Sequence, residues 1–162
     1  MRKLIMLAAV AAVLAFVNIV IMQRENLMTH GRVVMLELAP VDPRSLMQGD
    51  YMALRFKLAD DAYRSPSFRH QDGHLIVQVD ERGVGSFERF GDRRPLTPNE
   101  VLMRYRVRGD RIKLATNAYF FQEGHAQDYA GARYGEFRVD PDGEMILTGL
   151  RDADSRTLGS VL

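Results

Sequence analysis

Between Leu4 and Met22 the chain runs through nineteen consecutive residues of which Asn18 is the only polar one. At 1.5 Å of rise per residue a helix of that length spans roughly 28 Å, close to the thickness of a bilayer hydrocarbon core. A cleaved signal peptide is the main alternative, and a buried helix of a soluble protein the other. A signal peptide carries an apolar core of about 7 to 15 residues and ends in small residues at a cleavage site. Here the small residues lie inside the run, at Ala8–Ala15, and its end reads Asn18-Ile19-Val20-Ile21-Met22. The expectation is an uncleaved transmembrane signal anchor over residues 1–23. Arg2 and Lys3 precede the run, and the positive-inside rule holds that end in the cytoplasm while a long C-terminal domain is translocated regardless of its own charge. Nineteen of the 22 basic residues are Arg, the usage of a GC-rich bacterial genome. The expected placement is the inner membrane, N-terminus cytoplasmic and C-terminal domain periplasmic.

The rest of the chain has a globular composition. Hydrophobic residues make up 46% of the 162, and there is no cysteine and no glycine period. Bulk disorder, collagen-like repeats and disulfide scaffolds are thereby excluded, and the length supports one compact domain. Beyond residue 23 the chain holds 20 basic and 21 acidic residues, so no basic excess points to nucleic acid. The absence of cysteine is compatible with an oxidising compartment without requiring one.

Residues 24–31 read as a short polar stalk that continues the helix for a turn or two until Gly31 stops it. No Pro/Ser-rich linker separates it from the domain at 32–162, which keeps that domain close to the membrane surface. From there period-2 alternation dominates. Val34, Leu36 and Leu38 share one face; Met52, Leu54, Phe56 and Leu58 share another in a strand from Tyr51 to Leu58, with Tyr51, Arg55 and Lys57 opposite. Leu75, Val77 and Val79 repeat the pattern, as do Val101, Met103, Tyr105 and Val107. Such one-sided strands belong to antiparallel sheets. Gly109-Asp110 joins the last of these to a strand carrying Ile112 and Leu114, and Pro141-Asp142-Gly143 joins Glu136–Asp140 to Glu144–Leu150, both as tight hairpins. Gly124–Arg133 is the one stretch that suggests a helix. The predicted fold is mainly β: the N-terminal helix plus one antiparallel β-sandwich or partly open barrel of seven to nine strands, with one short helix.

The segment Asp42-Pro43-Arg44-Ser45-Leu46-Met47-Gln48-Gly49-Asp50-Tyr51 is the most distinctive in the chain. Pro43 fixes its own φ and pushes Asp42 toward extended geometry, and Gly49 suits a tight turn. Gly49-Asp50-Tyr51-Met52-Ala53-Leu54-Arg55-Phe56 closely resembles the signature of the GDYXXLXY family, departing only at Phe56, where the family string has tyrosine. A second block, Phe120-Phe121-Gln122-Glu123-Gly124 continuing through Tyr134-Gly135-Glu136-Phe137-Arg138-Val139, is similar to that family's other shared region. With the anchor the resemblance covers nearly the whole chain. It implies a membrane-anchored bacterial protein and, because members are often encoded beside or fused to multi-pass membrane proteins, a multi-pass membrane partner. It implies no activity. Asp42, Arg44, Gly49, Asp50, Tyr51, Glu123, Tyr134, Glu136 and Arg138 are the candidate interaction residues.

Other constellations admit chemistry and plainer readings. Ser45 with Gly49-Asp50 invites comparison with Ser/Lys signal peptidases, in which a lysine acts as base, but the spacing differs, Lys57 falls on a solvent-facing side and Lys113 lies in no motif; a turn hydroxyl suffices. Glu123, His125 and Asp128 lie near Tyr129, Tyr134 and Glu136 and could supply acid, base and anchor, or could hydrogen-bond backbone and Arg133 around a helix start. His70 and His74 flank Asp72-Gly73, which reads as a surface loop rather than a zinc site. No metal or cofactor is expected, and an enzyme is the less favoured class. Arg104, Arg106, Arg108, Arg111 and Lys113 are expected on the polar face of one hairpin, where like charges repel. Solvent or acidic neighbours relieve that repulsion in the plain reading; anionic lipid, an acidic glycan or an acidic partner does so otherwise. The function expected is an accessory subunit of a membrane complex, with a tethered small-molecule or glycan-binding module as the alternative.

Overall fold

The computed structural model describes residues 2–39, 47–48, 51–91 and 94–159. The apolar run forms helix α1, Arg2–His30, and within it Ala9–His30 is long and apolar enough to cross a membrane. The helix ends just before strand β1, Arg32–Glu37. Gly31 donates its N–H to the Leu27 carbonyl at 3.0 Å, and a Cβ there would lie 2.4 Å from that same oxygen, so the turn from helix to strand admits only glycine without displacement. Leu27 is buried against the domain.

The other strands are β2 (Met47–Gln48), β3 (Tyr51–Ala53), β4 (Gly73–Val79), β5 (Val84–Phe90), β6 (Glu100–Val107), β7 (Ile112–Lys113), β8 (Ala118–Phe120), β9 (Tyr134–Val139) and β10 (Met145–Arg151). Seven strands make one sheet in the order β10-β9-β1-β5-β4-β6-β7, and three make a second, β2-β3-β8. The large sheet curls into a half-barrel. Its two flanks approach where the Arg104 N–H of β6 donates to the Gly143 carbonyl in the β9–β10 turn at 2.8 Å. The inner face carries the core of Val34, Leu36, Leu75, Val77, Met103, Phe137 and Leu150, the alternating positions of the paired strands.

The predicted architecture of an N-terminal helix and a partly open barrel is what the chain adopts, with three local corrections. The strand expected over Tyr51–Leu58 stops at Ala53, and Lys57–Arg64 is an α-helix, α2. Leu58, Ala59 and Ala62 fall on one side of it and are buried, while Asp60 in its first turn and Arg64 in its last match the helix dipole. Met52, Leu54, Phe56 and Leu58 are nonetheless all buried, so the inward set survives the change of element. The domain's short helix is therefore α2, and Gly124–Arg133 holds only a 3-10 turn, Ala126–Tyr129. Finally, β5 is a strand that no clean alternation announces, and it pairs with β1 in parallel, the exception to the antiparallel rule in this sheet. Gly85 makes that pairing possible: a Cβ there would sit 2.7 Å from Val77 and 3.0 Å from Val34.

Both predicted hairpins form. Arg106 faces Lys113 and Val107 faces Ile112 across the first, whose Gly109 takes φ +58°. In the second, Asp140 Oδ1 accepts the N–H groups of Asp142 and Glu144 at 2.9 Å each, and Gly143 takes φ +86°.

One buried charge ties β5 to β6. The Glu100 carboxylate pairs with Arg89 and accepts the Thr97 N–H at 2.8 Å. The Arg89 hydrogen bond, then the Thr97 N–H, hold its pKa below the ordinary glutamate range despite burial. A carboxyl whose pKa is lower folded than unfolded adds stability above its unfolded value of about 4.3 and loses it as pH falls through the lower folded value. The thermal midpoint is therefore expected to drop on acidification from about pH 5 to about pH 3. Glu100→Gln should lower the midpoint at neutral pH and flatten that acid limb, as followed by circular dichroism; an acid limb of unchanged depth in the variant would assign it to other groups.

Candidate functional site

The two blocks of the sequence signature meet in space. Strand β3 pairs with β8 so that Tyr51 faces Phe120, Met52 faces Tyr119 and Ala53 faces Ala118. The Tyr51 and Phe120 rings stand 5.8 Å apart. Met52 points into the core, Tyr51 is half-buried on the other face, and Phe120 is 74% exposed, an unusual setting for a phenylalanine held in register by a backbone ladder. Farther along the first block, Phe56 is buried edge-to-face on Phe137 at 5.2 Å, and Leu38 bridges to Phe56. Gly135 leaves room for the Phe56 ring, because a Cβ there would meet it at 2.9 Å. Leu54 and Phe56 of the signature are thus core, Arg55 between them faces out to pair with Asp60, and the first half reaches the surface at Tyr51. Asp42, Arg44, Gly49 and Asp50, and with them Ser45, lie outside the described residues.

The remaining candidates separate by what they touch. Glu136 accepts from Arg151 and, at 2.8 Å, from the Thr148 hydroxyl, a polar cluster that joins β9 to β10. Arg138 donates to the Thr29 carbonyl at 3.1 Å and to the Gly31 carbonyl at 3.4 Å. These are orphan acceptors at the helix C-terminus, where a cation is favoured. Tyr134 sits half-buried in β9 opposite Glu37 and Arg151. Glu123 is exposed, while His125 Nδ1 lies 2.8 Å from Asp128 Oδ2 on the surface. Arg133 reaches Glu37 rather than Asp128. Tyr129 is buried and stacks on Phe121 at 5.2 Å. Its neighbour Tyr119 has its pKa raised, by burial first and then by the hydrogen bond with Tyr129. Glu123, His125 and Glu136 therefore do not converge.

Lys57 is ion-paired with Glu37 at 3.2 Å. His70 packs on Phe68 and Tyr63. Among the described residues no three His, Asp or Glu side chains converge as a metal site.

The cationic hairpin builds the other feature. Arg104, Arg106, Arg108 and Lys113 line an open groove of about 800 Å³ along the seam of the half-barrel, between the β6–β7 hairpin with β8 on one side and the start of β10 on the other. Arg111 does not line this groove; it lines a neighbouring cavity beside α2, to which Lys113 also contributes. Acidic neighbours relieve part of the repulsion: Arg104 pairs with Glu144 and Arg108 with Asp72. Asp72 also accepts the Val107 N–H at 2.7 Å, the largest cause of its lowered pKa. Arg106 and Lys113 enter no ion pair among the described residues. The member that sequence reading missed is Arg24, which reaches the same groove from α1. Its only signal is a cation two residues past the apolar run, which as a sequence feature reads as stalk.

An exposed apolar helix continued without a linker into a half-barrel whose seam carries cations, with a second small sheet presenting an aromatic pair, defines a β-domain protein carried on one long N-terminal helix. The chain belongs to the GDYXXLXY family: the model of GDYXXLXY proteins matches residues 13–150, from within α1 to within β10. No curated protein and no solved structure matches it.

Proposed function

We propose that this chain is a single-pass accessory subunit of a membrane complex, anchored by α1 in a bacterial inner membrane with its N-terminus cytoplasmic and its β domain periplasmic. The domain docks on a multi-pass membrane partner through the surface where the two signature blocks pair. The observation that carries this reading is Phe120, the first residue of the second family-like stretch, exposed beside Tyr51 of the first at the one β3–β8 pair that joins the two. Among the described residues packing leaves Phe120 largely uncovered, whereas an aromatic anchor at a protein interface commonly dominates its energetics. The orientation follows from Arg2 and Lys3 before the apolar run.

The test is purification of the full-length tagged chain from its native membrane in mild detergent. A multi-pass protein at near-equal amount is expected to co-elute. Phe120→Asp should reduce it about 30-fold, as loss of an interface aromatic worth about 2 kcal/mol does, with the thermal midpoint of the chain unchanged. Tyr51→Ala and Asp50→Ala should act in the same direction. Elution of the wild-type chain alone in several detergents, or undiminished recovery with Phe120→Asp, would sink the reading.

A further inference from the structure

The seam groove is continuous with the end of the apolar run. Val20 belongs to that run, and Arg24 lies one helical turn beyond it on the same side of α1. Together with Arg104 and Arg106 they line one cavity at the corner between helix and domain, whose β9–β10 turn side carries Asp140, Asp142 and Glu144, and Arg24 continues from there into the seam, where Glu144 is the one carboxylate. At 1.5 Å per residue the step from Val20 to Arg24 is about 6 Å. Where α1 spans a bilayer, as the proposed anchoring has it, these guanidinium groups stand at the depth of the lipid headgroups rather than out in solvent.

The charge of the seam is one-sided. Five cationic side chains line it with one carboxylate, Glu144; Glu144 is taken by Arg104, and Asp72, outside the lining, pairs with Arg108, so Arg24, Arg106 and Lys113 are the lining cations with no ion pair among the described residues. Arg106 and Lys113 are held opposite each other by the strand register, a repulsive placement unless an anion lies between them. Guanidinium groups match phosphate oxygens in bidentate geometry. Leu114 and Met145, buried side chains at the foot of the groove, give it an apolar floor.

We propose that the seam seats the phosphate of an anionic glycerophospholipid from the leaflet on the domain's side, held by Arg24 from the anchor and by Arg106 and Lys113 from the β6–β7 hairpin. Charge complementarity and the direct run from Val20 into the groove favour a lipid over an acidic segment of a partner protein, which would need no continuity with the apolar helix.

The experiment takes the full-length chain in mixed micelles of phosphatidylglycerol and phosphatidylcholine and counts retained lipid adducts by native mass spectrometry. About tenfold enrichment of phosphatidylglycerol is expected, falling to near parity at high salt and in Arg106→Glu/Lys113→Glu. Arg111→Glu, a charge reversal outside the groove, should leave the enrichment intact. A phosphatidylglycerol carrying a photoreactive headgroup gives a readout independent of any variant: crosslinks should map to residues 104–113 and to Arg24. Equal retention of the two lipids, an enrichment that survives Arg106→Glu/Lys113→Glu, or crosslinks confined to the Arg2–Lys3 end would each overturn the proposal. Displacement of the lipid by glycerol phosphate at matched phosphate concentration would identify a soluble phosphate as the ligand and overturn the lipid. Resistance of the chain to alkaline extraction from membranes reports separately on whether α1 spans, so failure of the anchor reading is distinguishable from failure of the lipid site.

Discussion

Phe137→Ala is expected to lower the thermal midpoint of the domain by roughly 8–15 °C, from a loss of about 3–5 kcal/mol. Phe137 is 0% exposed in β9, which lies between β10 and β1 in the half-barrel. Its ring meets Phe56 edge-to-face at 5.2 Å, an arrangement worth about 0.5–1.5 kcal/mol beyond burial. Both flanking strands are tied by ladder hydrogen bonds, and Gly135 already brings backbone as close to Phe56 as the ring allows. The walls therefore cannot close into the space a missing ring leaves, which places the substitution at the costly end of large-to-small changes. Phe137→Leu, which keeps most of the volume, should cost less than half as much. Thermal unfolding of the full-length chain in detergent, monitored by circular dichroism, measures both. A shift under about 3 °C for the alanine variant would mean that this part of the core repacks freely.

Gly31→Ala is expected to loosen the join between helix and domain, at a local cost of about 1–3 kcal/mol. The added Cβ would lie 2.4 Å from the Leu27 carbonyl oxygen and 3.0 Å from the Arg138 Cβ. The first of these is backbone and has no rotamer by which to withdraw. Moving the last turn of α1 away from β9 also removes the Arg138 hydrogen bonds to the Thr29 and Gly31 carbonyls and exposes Leu27. That cost raises the population of the opened junction about 5- to 150-fold, read as faster amide exchange over residues 28–33 with little change in the protection of β4 and β6. Exchange at the wild-type rate would show that the helix end shifts without penalty. Arg138→Ala, which removes the hydrogen bonds and leaves the backbone in place, should give a smaller acceleration.

The long apolar helix and the strands facing one buried side are legible in the sequence because both depend on the pattern of apolar residues alone. The boundary at Lys57 is not. Alternation of Met52, Leu54, Phe56 and Leu58 records which side chains turn inward, and a strand leading into a helix satisfies it as well as one long strand, since Leu58, Ala59 and Ala62 resume the inward face at helical spacing. In β5 the inward position at Gly85 has no side chain, which leaves the period unreadable. The cations of β6 and β7 can be assigned to one surface from the hairpin. Arg24 cannot, because a contact spanning some eighty residues depends on how the half-barrel closes against α1. Arg138 and Glu136 read as recognition residues because they lie in the block that resembles the family's second shared region; the helix end and Arg151 that engage them come from pairings no local pattern announces.

The direct passage from α1 through Gly31 into β1 sets the compass bearing of the domain as well as its height. A flexible tether would leave the domain free to turn about the helix axis, whereas here whatever fixes the azimuth of α1 fixes which side of the half-barrel a neighbour meets. Each residue added to the helix would swing that side by about 100° and lift it by about 1.5 Å, while seven would lift it by about 10 Å and return it to within about 20° of its original heading. Helix length in this architecture is an angular setting, and only particular lengths keep Phe120 and the seam pointing where they do.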